Sequence, residues 1–136
     1  MNLLVKTCNY DVMNTQRIFA RGFVIAGGLL WTAAVFGAMD TYMKMAIARS
    51  VLDAMIPLVL TVVVFLVGWF YEQLASAILA VAAIGIVVWG VIVGWEAGVW
   101  LYMGVTLIAP MVVAALLYLL AAQTQTLCAL TEAKSA

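Results

Sequence analysis

Histidine is missing altogether, and only 9% of the 136 residues carry a charge. The first absence removes the side chain that most often shuttles protons and most often ligates zinc or haem iron. It also excludes Ser–His and Cys–His pairs, so acyl transfer of that kind has no base. The second absence excludes a soluble enzyme, a disordered chain and a nucleic-acid binder, because an ordinary soluble domain is about a quarter charged. Six basic and six acidic residues cancel, which leaves no net field to draw nucleic acid or anionic lipid. Cysteine is scarce too. Cys8 and Cys128 lie near opposite ends of the chain and form no CxxC. They are expected to be free thiols in a reducing compartment rather than a zinc or redox site. The glycines sit inside apolar runs, so no phosphate-cradling loop is present. No enzyme and no cofactor are expected.

What the chain has in quantity is apolar side chains, 68% of all residues, with a mean hydropathy of +1.21. A soluble protein of this size leaves too much of its surface in water to hide them. About 20 helical residues cross a hydrocarbon core about 30 Å thick, and that length occurs four times, at 18–39, 51–71, 74–95 and 99–122. A membrane barrel would need alternating segments of about ten residues, whereas Ile78 to Val93 is apolar or glycine throughout. The links at Glu72–Gln73 and Glu96–Gly98 are too short for anything but antiparallel neighbours. The longer link, DTYMKMAIARS from Asp40 to Ser50, reads either as a short interfacial helix or as an extension of the second span. The expected fold is all-α: an integral membrane, four-helix antiparallel transmembrane bundle over 18–122, with an N-terminal segment 1–17 and a C-terminal tail 123–136. Lys6, Arg17, Arg21 and Lys134 on the side of the termini face Lys44 and Arg49 on the other. That bias predicts a multi-pass protein of the cell inner membrane with both termini in the cytoplasm.

Aromatic residues mark the span ends: Trp69, Phe70 and Tyr71, then Trp95, Trp100 and Tyr102. Trp31 and Trp89 instead fall in mid-span, where an indole N–H needs a partner or a cavity. Pro57 lies near the start of the second span, where it can define a first turn. Pro110 lies mid-span and predicts a kink; its missing N–H frees the carbonyl of Thr106, and the Thr106 hydroxyl is a local group able to help. Trp31, Trp89, Thr106 and Pro110 are therefore the candidate cavity residues. Gly90, Gly94 and Gly98 form two overlapping GxxxG steps, and Ala33 with Gly37 a further small-residue pair. These are the candidate helix-packing residues, within the bundle or between copies.

Ionisable residues all sit at span ends. Transporters driven by protons place a carboxylate near the midplane, and none is there. Arg49 and Asp53, four apart, are expected to pair on one helix face. Met39, Met43 and Met45 offer soft thioether ligands suited to Cu(I), though on a helix only 39 and 43 share a face.

From RIFARGFVIAGGLLWTAAVFGAMD at 17–40, through IPLVLTVVVFLVGW at 56–69 and the span with Trp89, to IAP at 108–110, the chain resembles a group of small, uncharacterised four-span prokaryotic membrane proteins. The resemblance covers about two thirds of the chain and implies a four-span bundle without implying an activity. The first expectation for function is an accessory or structural subunit, packing against other membrane chains or copies of itself through the glycine steps. A second is a transporter or channel for an apolar or uncharged solute, resting on Trp31, Trp89 and Pro110. Copper handling is a minor third. The bilayer itself is an expected partner, and nucleic acid is not.

Overall fold

The computed structural model describes residues 7–41 and 47–136, and side chains other than those of 38–41 within them. Helix α1 runs Tyr10–Thr41, α2 Ile47–Phe70, α3 Glu72–Val93 and α4 Ala97–Met103; a π-helical segment Gly104–Ile108 joins α4 to α5, Ala109–Ser135. The α4–π–α5 rod acts as one span, and each of the four spans is long and apolar enough to cross a membrane. Together they form an all-α four-helix bundle in which α1 packs on α2 and α5, and α3 packs on α5 and α2. The order is up-down-up-down.

Lengths are unequal, and the inequality shapes the molecule. The 22 residues of α3 make about 33 Å, close to the hydrocarbon thickness. The 32 residues of α1 make about 48 Å, and the 39 from Ala97 to Ser135 about 58 Å. Helical structure thus runs back through 10–17 and on through 123–135, so the flanking segments continue α1 and α5 beyond the apolar slab on the side of the termini. Asn9 starts α1: its side-chain oxygen accepts the N–H groups of Asp11 (3.1 Å) and Val12 (3.3 Å). Asp11 and Lys134 lie in the first turn of α1 and the last of α5, where their charges suit the helix dipoles. Of the two readings of the long link, residues 47–50 extend α2.

Gly94 ends α3 in the left-handed conformation (φ 71°), with the N–H of Trp95 bonded to the carbonyl of Gly90 at 3.1 Å and that of Gly94 to Val91 at 3.3 Å. This Schellman closure needs a residue without a Cβ. Polarity is inverted relative to a water-soluble bundle. Phe70, Ile92 and Leu101 are more than 70% exposed, whereas Ser50, Glu72, Ser76 and Thr124 are buried. Lipid is the solvent that makes such a surface favourable. Inside, Ala20, Val24, Ala75, Leu79, Ala114, Ala115 and Tyr118 form the packed core. Small residues bring the backbones close, and the Ser76 hydroxyl donates to the Ala115 carbonyl at 2.8 Å, tying α3 to α5.

Pro57 lies eleven residues into α2 and is buried, so it does not define a first turn. The apolar run begins later than the helix, which is why composition alone placed it near the start.

Candidate functional site

The site begins with an irregularity in the fourth span. Pro110 has no N–H and its ring crowds the preceding turn. The chain absorbs this just upstream by shifting to i→i+5 bonding: the N–H of Ala109 bonds to the carbonyl of Gly104. The Thr106 hydroxyl donates to the Tyr102 carbonyl at 2.7 Å, one turn earlier than its expected role at Pro110. On the facing helix α1, Gly27 and Gly28 remove two side chains from the wall. A Cβ on Gly27 would stand 3.0 Å from Pro110 Cβ, and one on Gly28 would collide with the Thr61 side chain of α2.

Beside these close approaches lies a cavity of about 540 Å³, within the range of small-molecule sites. All four spans contribute to it, and its lining is almost wholly apolar. Phe23 and Trp31 of α1, Val64 of α2, Leu79 of α3 and Leu107 and Met111 of the fourth span stand on its wall. The cavity runs from the middle of the bundle, at Gly27 and Pro110, toward the turn between α3 and α4, where Trp95 and Met103 line it. Trp31, Trp89 and Pro110 line it together, while Thr106 does not. Trp89 is also 62% exposed on its outer side, so this wall opens toward lipid. Thr61 is the one hydroxyl in the lining, and it is already committed to the Pro57 carbonyl at 2.7 Å. A ligand here meets mainly dispersion contacts and aromatic rings, with the indole N–H groups of Trp31, Trp89 and Trp95 as the donors on the lining residues.

Trp95 lines the same cavity and was legible only as an interface anchor. Its ring covers Gly90, where a Cβ would stand 2.5 Å from Cε3, and meets Trp100 edge-on with centroids 5.2 Å apart. Gly90 is therefore a seat for the indole rings of its own hairpin. Within the bundle the glycine steps do not form a packing face: Gly94 ends α3, and Gly98 belongs to α4 beyond the turn. A Cβ on Gly94, Gly98 or Gly37 would meet nothing within 4 Å, and Ala33 is exposed. The close approaches fall instead at Gly27, Gly28 and Gly68, the last against the Tyr118 ring.

Charges are also placed differently from expectation. Arg49 and Asp53 both lie on α2 but make no ion pair, because each keeps solvent or headgroup access and an exposed pair gains little from fixing two side chains. The ion pair among the described residues is Arg17–Glu72, joining α1 to the start of α3. Arg17 also donates to Gln125 Oε1 of α5 at 2.9 Å. Arg21 lies over the Trp69 ring at 4.0 Å. At the tips of α1 and α5 the Tyr10 hydroxyl donates to Glu132 Oε1 at 2.6 Å.

The expectation of free thiols is overturned: Cys8 and Cys128 form a disulfide, with Cα atoms 5.0 Å apart across 120 residues of sequence. An even number of spans returns the chain to the side it started from, and α1 neighbours α5, so the two residues meet. Met43 and Met45 of the copper reading lie outside the described residues, as does the side chain of Met39. Compared with known proteins, the chain matches no family, no curated protein and no solved structure.

Proposed function

We propose that this is a multi-pass protein of the cell membrane that binds an apolar or uncharged solute in the cavity between its spans and passes it on as a transporter does. One observation carries the reading: a cavity of about 540 Å³ lined by all four spans, with Trp31, Trp89 and Pro110 on its walls. A purely structural bundle has no need of such a space, since lipid-embedded helices associate through close packing and a void forfeits those contacts. The accessory-subunit reading drew its support from glycine steps that turn out to lie on two different helices. The π segment beside Pro110 supplies a span that can change register locally, a feature common at functional sites.

The test uses the cavity's own tryptophans. Purified protein in nanodiscs is titrated with a dibrominated alkane, and indole fluorescence is followed with and without excess unbrominated alkane. Saturable quenching that the competitor reverses is expected. Gly85 lines the cavity, and a Cβ there meets nothing within 4 Å, so Gly85→Leu starts its side chain in open space beside the cavity. The variant is expected to lose the saturable phase while unfolding at the same denaturant concentration as wild type or higher, because glycine is a poor helix residue. Quenching that rises linearly with probe in both proteins would refute the proposal.

A further inference from the structure

We infer that the membrane face carrying both termini lies in an oxidising compartment, the reverse of the side that the lysine and arginine count predicts, and that Cys8–Cys128 is installed there by a thiol oxidase. Cytosolic thiols are held reduced, so a structural disulfide belongs on the other side of the membrane. The geometry is that of a built cross-link. Asn9 caps α1 immediately after Cys8 and so fixes where the first cysteine stands. Cys128 is 2% exposed on α5, and the Cα separation of 5.0 Å lies inside the window that disulfides require. Its surroundings agree: Met13 is 5% and Thr124 2% exposed, and Tyr10–Glu132 closes the tips above the cross-link. These residues stand on the parts of α1 and α5 that overshoot the slab, within reach of a soluble enzyme.

The distribution of basic side chains weighs less. The basic side chains number four against two, and one of the four, Arg17, is paired with Glu72. Orientation rules of this kind report a bias in counts, whereas a disulfide has a chemical requirement.

Burial also orders the reaction. Cys8 is exposed and Cys128 is not. The Cys8 thiolate attacks the disulfide of the oxidase, forming a mixed disulfide and expelling one oxidase thiolate. The Cys128 thiolate then attacks the Cys8 sulfur, closing the intramolecular bond and releasing the second. The two thiols give up two protons and two electrons, and the oxidase disulfide becomes a dithiol.

The experiment uses the full chain in intact cells. Thiols are trapped by acid, denatured and alkylated with a 5-kDa polyethylene glycol maleimide. Without reductant no adduct is expected; after reduction, two. In parallel, intact cells are treated with a membrane-impermeant phosphine and then an impermeant maleimide, and both cysteines are expected to label. Cys128→Ser, lacking the resolving thiol, is expected to accumulate a reductant-sensitive adduct of higher mass, and Cys8→Ser to accumulate less of it. Two adducts without reductant would overturn the inference outright. A bond that resists the impermeant phosphine in intact cells but yields once they are lysed would place the termini in the cytoplasm and overturn it as well. A ligand site between the spans has no bearing on either result.

Discussion

Replacing Glu72 by Leu is expected to cost about 3 kcal/mol of stability, because it strands the Arg17 guanidinium in a partly buried position. The two side chains are 22% and 7% exposed, Arg17 and Glu72 respectively, so little water screens the pair. Arg17 keeps its bond to Gln125 and can reach toward the headgroups, which trims the loss from the upper end of the range for broken buried pairs. The double variant Arg17→Leu/Glu72→Leu is expected to return to within about 1 kcal/mol of wild type, since an apolar pair of similar size removes both the charge attraction and the desolvation cost. Denaturant titration in mixed micelles, read by tryptophan fluorescence, checks both. A single variant that unfolds like wild type would mean that the pair is only a surface contact.

The second large effect is expected at Gly28. A Cβ there collides with the Thr61 methyl and hydroxyl and stands 2.7 Å from the Thr61 Cβ, so turning the Thr61 side chain is not enough and α1 and α2 must separate. Gly28→Val is expected to destabilise by about 3 kcal/mol, at the upper end for overpacking. Thr61→Gly in the same chain removes the methyl, hydroxyl and Cβ together and is expected to recover about 1 kcal/mol of that, as contacting sites couple. Gly22→Val, on the same helix where a Cβ meets nothing within 4 Å, is the control and is expected to stay within about 0.5 kcal/mol of wild type. Equal losses at positions 22 and 28 would show that helix propensity, not the α1–α2 approach, sets the effect.

The spans were legible because lipid demands length and apolarity from each segment independently; α3 at Glu72–Val93 is offset from the apolar run by about one half-turn. What escaped was whatever depends on two segments at once. Arg17 and Glu72 are 55 residues apart, and Cys8 and Cys128 are 120 apart, so no local spacing connects them. The up-down topology does connect them, and it was already implied by the short links. The glycine steps give no packing face inside the bundle for a different reason: a period of four means one face only while the helix continues, and Gly94 is where it stops. The extension of α5 was hidden because the apolar run in QTQTLCALTEAK is only the four residues LCAL, far short of a span, its helicity being secured by the neighbour it leans on. Mid-span position singled out Trp31, Trp89 and Pro110, which share one cavity, whereas the hydroxyl of Thr106 found a closer carbonyl.

The cross-link from Cys8 to Cys128 makes the polypeptide, apart from short tails, a closed ring. One protease cut in the turn at Gly94–Glu96 should therefore nick the ring without releasing a fragment: a single band on a non-reducing gel, and two once thiol is added. The same closure makes that turn a natural place to open the chain anew, with the present ends joined by a short linker, since the spans would keep their order around the ring.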